Sequence, residues 1–285
     1  MQLAAHTFGF VWQEEAEAAV VALACAGFRR IQLMASPPHF DPWRADEART
    51  VRLRRLVEDH DLELLAADLA SSDINLASAA PEVVAFSVEA YRQLALRCAE
   101  LGARHVCVGS GRRHALLAKA NDRLMQSFRP AFRQVVEAAR RAGVGVILEN
   151  HPQGLLDSAA TIARFLDEEG YDDVSVIYDV ANGFAIGEDL AQGLRLLAGR
   201  IGIVHLSDSP AGQWRHDPIG SGAIDFSAIR RELERQGYAG PVVLEILSEP
   251  PLAGLLDGVA RLVAQGWRFD GVLPNAGEPG GRDAG

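Results

Sequence analysis

The sequence has little cysteine and no motif built from it. Its three thiols, Cys25, Cys98 and Cys107, form no CxxC pair and no Cys/His finger spacing. An odd count in a long chain argues against a disulfide framework. No apolar run approaches the ~18 residues that a membrane span requires. The segment Met1–His6 lacks a basic stretch followed by an apolar one, so it does not read as a secretory signal. These absences point to a soluble protein of a reducing cytoplasm, without a membrane partner. Basic charge is also short: Lys and Arg total 28 against 38 Asp and Glu, a formal net charge of −10. Binding a polyanion calls for the opposite surplus, so nucleic acid is not an expected partner.

What the sequence does have is enough apolar material for a large core, 48% of 285 residues, and a regular alternation of elements. Short β-like runs stand at Leu3–His6, Arg30–Met34, Glu63–Asp68, His105–Val108, Val144–Leu148, Val174–Tyr178, Ile201–Leu206 and Val242–Ile246. Amphipathic stretches separate them, among them Glu14–Ala26, Asp46–His60, Pro81–Leu101, Arg123–Ala142 and Ser158–Glu168. Gly27, Gly102, Gly143 and Gly237 each stand where a helix should stop and a strand begin. Strict alternation implies a parallel sheet with right-handed crossovers, and eight such units close naturally into a (β/α)8 TIM barrel. A doubly wound open sheet would usually carry a glycine-rich first turn. Here that turn is Thr7-Phe8-Gly9-Phe10-Val11-Trp12, with one glycine and three aromatics. No linker interrupts the chain before Pro274, so residues 1–273 read as one α/β barrel domain and 274–285, rich in Gly and Pro, as a flexible tail.

In such barrels the working residues lie at the C-terminal ends of the strands. The fifth strand runs into Glu149, the sixth into Asp179, the seventh carries His205 and the eighth Glu245. Three carboxylates converging on one mouth would repel each other, and a divalent cation removes that repulsion. Carboxylate oxygens with one imidazole suit Mn2+ or Mg2+, with Co2+ or Zn2+ as alternatives.

Several segments in order carry a resemblance: Ile147-Leu148-Glu149-Asn150-His151, Tyr178-Asp179-Val180-Ala181-Asn182, Val204-His205-Leu206-Ser207-Asp208, Gly220-Ser221-Gly222-Ala223-Ile224-Asp225-Phe226 and Val243-Leu244-Glu245-Ile246. The chain resembles the xylose-isomerase-like barrel superfamily, in its sugar (phosphate) isomerase/epimerase branch, from Leu3 to about Gln265. Members include keto-sugar 3-epimerases, hydroxypyruvate isomerases, inosose and dehydroshikimate dehydratases and a DNA-repair endonuclease. The resemblance implies a metal held by Glu149, Asp179, His205 and Glu245, with Glu149 and Glu245 facing each other across it as acid and base. It also implies a homodimer or homotetramer. Three positions depart from the pattern: Asn182 stands where many relatives carry His, Leu155 where the 3-epimerases carry a second Glu, and Gln32 where the second strand often ends in Glu.

The implied chemistry is removal of a proton beside a carbonyl to give an enediolate. Return of the proton to the opposite face gives an epimer, return to the neighbouring carbon an isomer, and loss of a β-hydroxyl a dehydrated product. The primary expectation is a metal-dependent isomerase or epimerase of a small keto-sugar. The alternative is a dehydratase or lyase acting on a keto-cyclitol, a dehydroshikimate-like compound or a 3-keto sugar. Candidate substrate contacts are His6, with Trp12 in the aromatic first loop, His151 two residues after Glu149, Asn182, and Arg215. Packing accounts for His6 and His151 as readily as binding does. Arg112 and Arg113 offer a loop for an anionic group or for solvent. Asp208 is expected to orient His205 or pair with Arg215, Asn75 to bind substrate or serve a turn, His39 to lie on a solvated loop, and Cys107 to belong to the core.

Overall fold

The computed structural model describes residues 1–70, 73–114, 116–117 and 120–270. The expected tail, 274–285, lies outside the described residues. Eight parallel strands close into a barrel in sequence order: β1 (Gln2–His6), β2 (Arg30–Met34), β3 (Glu63–Asp68), β4 (His105–Gly109), β5 (Gly145–Glu149), β6 (Ser175–Asp179), β7 (Ile201–Leu206) and β8 (Pro241–Leu244). Around them pack α1 (Ala16–Cys25), α2 (Glu47–Asp59), α3 (Pro81–Leu101), α4 (Asn121–Ala142), α5 (Ala159–Glu169), α6 (Val180–Ala185), α7 (Leu190–Leu196), α8 (Phe226–Arg235) and α9 (Pro251–Ala264). The expected (β/α)8 TIM barrel is therefore the observed one. The limits of β2, β3 and β7 are those expected, and those of the other five strands differ by one or two residues. β8 stops at Leu244, so Glu245 stands just beyond it, though its N–H still donates to Leu206 O at 3.1 Å. The helix α6, which begins directly after β6, was not expected; it is six residues long and contains Gly183, too short for a periodic apolar pattern to show.

The helix ends follow local chemistry. Gly102 and Gly143 close α3 and α4 in the left-handed conformation, at φ of 77° and 76°, where a side chain would be strained. At the start of α5, Ser158 and Thr161 form a reciprocal capping box. Ser158→Ala is expected to cost about 1 kcal/mol, read as a lower urea midpoint at unchanged slope.

The strand period of two sets up two cores. Outward-facing residues such as Leu148, Val176 and Tyr178 pack into the layer shared with the helices. Inward-facing Ala4, Ala66, Cys107, Ile147, Ile177, Ile203 and Val243 fill the barrel interior, joined by Leu65, the extra residue where the pairing of β3 with β2 shifts register. Two residues beyond Ile147, Ile177, Ile203 and Val243 come Glu149, Asp179, His205 and Glu245. The same alternation that buries four aliphatic side chains therefore aims the next four, all of them polar, at the barrel axis. Among the described residues no helix is long and apolar enough to cross a membrane.

Candidate metal centre

Glu149 and Asp179 are the last residues of β5 and β6, His205 is the next to last of β7, and Asp179 and His205 are direct partners in the sheet. His205 Nδ1 lies 3.2 Å from Glu149 Oε1, 3.3 Å from Glu245 Oε2 and 3.7 Å from Asp179 Oδ2. One donor atom from each of the four falls within 4.8 Å of all the others. Asp179 Oδ2 and His205 Nδ1 are buried with no hydrogen-bond partner. Buried polar atoms are ordinarily satisfied, so two orphans facing one another across a cluster of carboxylates mark a place for a cation. The electrostatics agree. Burial pushes the Glu149 carboxyl up. Burial also resists ionisation of Glu245, but His216 and His205 hold it well below the usual carboxylate range. Burial opposes charge on His205, yet Glu245, Asp179 and Glu149 carry it well above the ordinary histidine value. The centre draws positive charge, and three oxygen donors with one nitrogen fit a hard or borderline divalent ion.

Asp179 divides its two oxygens. Oδ1 caps α6 by accepting from Asn182 N at 2.8 Å, which fixes the carboxylate and leaves Oδ2 facing the centre. Asn150 clasps the Asp179 backbone from both sides, accepting from its N–H at 2.8 Å and donating to its C=O at 2.9 Å. Asn182 Nδ2 donates to Asn150 O at 2.9 Å, and Asn182 Oδ1 accepts from Trp214 Nε1 at 2.7 Å. Asn182 borders the cavity as well, with one amide hydrogen left for a ligand.

The loop after β7 differs from expectation. Asp208 neither orients His205 nor pairs with Arg215. It is buried and gathers four backbone N–H groups, those of Ser209, Gly220, Gly222 and Ile224, at 2.8–3.2 Å. Gly222 is required there, because a Cβ would overlap the Asp208 carboxylate and the Ser209 backbone. The loop so folded sends neighbouring residues opposite ways. Arg215 reaches the rim and pairs with Asp217 at 2.7 Å, its side chain half exposed. His216 points inward, with Nδ1 at 3.0 Å from Ser207 Oγ and 3.2 Å from Glu245 Oε2. Burial disfavours its charge, but Glu245 and Asp179 push its pKa up to about 9. The sequence reading singled out Arg215 and missed His216, since adjacent loop residues carry no periodicity to tell inward from outward.

A cavity of about 630 Å³ opens above the centre, with Glu149 and Glu245 reaching it from below. That volume suits a small molecule. Trp12 stands 82% exposed at the rim, and His151 packs edge-on against Trp214 at 4.8 Å between ring centroids. Burial and the nearby Arg112 push the His151 pKa down to about 4, so its ring is neutral at physiological pH. His6, for which packing and hydroxyl binding stood equal, is packed within the protein. Both of its ring nitrogens are used within the protein, Nδ1 by Phe8 N–H at 2.9 Å and Nε2 by Asp68 at 3.1 Å. His39 is not solvated either; it is fully buried and donates to Glu14 O at 2.6 Å. Asn75 serves its turn, accepting from Ala77 N and Arg112 N. Cys107 lies in the barrel interior, directly beneath the centre, with Sγ 3.7 Å from Glu149 Oε2. Asp68 and Gln32, which the sequence reading did not place in the site, are buried beside it, and Gln32 joins His205 to Asp68.

Known proteins share this architecture. L-ribulose-5-phosphate 3-epimerase UlaE of Escherichia coli is 30% identical over 134 residues, 46% of this chain and 46% of that protein. The match therefore spans about half the length of the curated relatives. The structure of an L-ribulose 3-epimerase superposes with a TM-score of 0.71 at 27% identity, covering 93% of this chain and 86% of that one. The probable 3-DHS dehydratase AsbF of Bacillus anthracis superposes with a TM-score of 0.74 at 18% identity, covering 94% and 100%, a likeness of fold. A model of the xylose isomerase-like TIM barrel family matches residues 20–265. This chain belongs to the xylose isomerase-like TIM barrel family.

Proposed function

We propose that the chain is a divalent-metal-dependent isomerase or epimerase of a small keto-sugar. One observation carries this reading: Glu149 and Glu245 approach His205 Nδ1 at 3.2 and 3.3 Å and both border the same cavity. Glu149, Asp179, His205 and Glu245 would hold the ion, Mn2+ or Mg2+ by donor type, with Co2+ or Zn2+ as alternatives. When bound, the ion polarises a carbonyl and an adjacent hydroxyl and stabilises negative charge on them.

The chain's own residues supply the proton transfers. One of the two glutamates takes the proton from the carbon beside the carbonyl, and the other returns one from the opposite side, inverting that carbon. Cys107, Tyr91 and Ile74 make the cavity floor partly apolar, which strengthens electrostatic interactions there. Trp214 and His151 form a wall against which a sugar ring can lie, and Asn182 offers a hydrogen to one hydroxyl. Leu155 packs against the hydrophobic core where 3-epimerases carry a second glutamate, so the work falls on Glu149 and Glu245. The UlaE and L-ribulose 3-epimerase likenesses support a ketose substrate, with or without phosphate.

A panel of ketoses, ketose phosphates and keto-cyclitols in D2O tests this. Deuterium at the carbon next to the carbonyl, together with an epimer or isomer by NMR, is the expected result. A dehydrated product, read as a new conjugated chromophore by ultraviolet absorbance, would assign dehydratase chemistry instead, and neither exchange nor dehydration with any member would contradict both. Trp214→Phe removes the donor to Asn182 Oδ1 and is expected to raise KM about tenfold, the value of one hydrogen bond of roughly 1–1.5 kcal/mol. Steady-state kinetics on the substrate so found reads that shift.

A further inference from the structure

We infer that Gln32, Asp68 and His6 form a directional hydrogen-bond relay that holds the Nε2 hydrogen of His205 on Gln32 and so reserves Nδ1, which faces the three carboxylates, as the nitrogen a cation takes in place of a proton. The inference rests on the reading of the centre as a cation site and adds residues to it. The relay starts from a donor whose identity is certain. Phe8 N–H donates to His6 Nδ1 at 2.9 Å, so that nitrogen carries no hydrogen. The hydrogen of His6 is then on Nε2, which donates to Asp68 Oδ1 at 3.1 Å. The Asp68 carboxylate only accepts. Gln32 must therefore present its amide Nε2 to Asp68, as it does at 2.9 Å, and its Oε1 to the other side. That oxygen lies 2.9 Å from His205 Nε2, which can meet it only as a donor.

Each step excludes its reverse. A flipped Gln32 would set two acceptors together at Asp68 and present N–H to His205. A His205 ring with its single hydrogen on Nδ1 would leave a lone pair against Gln32 Oε1. His6, Gln32 and His205 are at 2% exposure or less, which shields their bonds from water, and Asp68, at 7%, is buried but borders the cavity. The residues come from β1, β2, β3 and β7, and the sheet holds their spacing. The sequence itself favours glutamine at this point. A carboxylate at position 32 would face Asp68 with no hydrogen to share at neutral pH, whereas an amide is at once donor to Asp68 and acceptor for His205. Outer partners of this kind orient a ligating imidazole and typically change metal affinity by about 10- to 100-fold when removed. Gln32, Asp68 and His6 are thus positioning residues, acting through His205.

The test uses the whole chain, wild type and Gln32→Met, which keeps the length of the side chain and removes both hydrogen bonds. Mn2+ binding is measured by titration calorimetry at neutral pH, beside the melting temperature of each metal-free protein. The expected result is a dissociation constant about 10- to 100-fold weaker in Gln32→Met. Equal affinity in a folded variant overturns the relay alone; no Mn2+ binding by wild type overturns both the relay and the metal-dependent function. A second measurement does not depend on the variant folding. In 15N-histidine NMR of the wild-type protein, Zn2+ should shift His205 Nδ1 and leave a bonded hydrogen on Nε2. A hydrogen on Nδ1 of the Zn2+-loaded protein, or a metal shift at Nε2, overturns the proposal.

Discussion

Glu149→Gln and Glu245→Gln are each expected to lower kcat by about 10³-fold, within the range that positioned acid–base groups contribute, and to abolish exchange of the substrate α-proton with D2O. The size of the effect follows from the double duty of these side chains. Each contributes a donor atom to the four-residue cluster, and each borders the cavity where the substrate carbon must lie. An amide preserves the volume and one acceptor oxygen, but it neither takes a proton near neutral pH nor supplies the negative charge that a divalent ion requires. The two losses act on one centre, so the double variant should be little worse than either single one. Exchange rates by NMR, with kcat from a coupled assay, provide the measurement. Undiminished exchange in both single variants would contradict the proton-transfer role.

Asp208→Ala is expected to destabilise the protein by about 3 kcal/mol and to remove most activity with it. The carboxylate accepts from four backbone N–H groups. Hydrogen bonds to a charged group are worth roughly 1.5–3 kcal/mol each and are not additive, and partial access of water to a relaxed loop offsets part of the loss. The functional consequence comes from what the loop carries: Trp214, Arg215 and His216 all lie between the Ser209 and Gly220 anchors. Urea unfolding, with KM and kcat measured on the same preparation, separates the two effects. Destabilisation below about 1 kcal/mol would show that the four bonds do not hold the loop.

The features legible in the sequence are those that repeat or obey a period. Alternating strands and helices gave the barrel, and a strand's period of two, combined with the rule that chemistry sits at C-terminal strand ends, selected Glu149, Asp179, His205 and Glu245. A shift of a residue or two, as at β8, did no harm there, because each candidate ligand was the conspicuous polar residue at its strand end. The relay was not legible. Gln32, Asp68 and His205 are far apart in the chain, and a lone Asp ending a strand has no signature until closure of the barrel sets it beside His6. His216 and Asp208 were obscured for a different reason: an irregular loop has no period, so the choice between Arg215 and His216 depended on a fold that Asp208 itself creates. Asn150 was silent because its carboxamide pairs with the backbone of Asp179 at the C-terminal end of β6, a contact that appears only once β5 and β6 lie side by side.

The cation site is tested most directly by metal analysis of the intact chain. The protein is stripped with EDTA, dialysed against Mn2+ and then against metal-free buffer, and its metal content is measured beside that of Asp179→Ala. About one Mn2+ per chain in the wild type and none in the variant is the expected result, because Asp179 Oδ2 and His205 Nδ1 are buried without other partners. No retained ion in the wild type, or the same content in both proteins, would contradict a metal centre at Glu149, Asp179, His205 and Glu245.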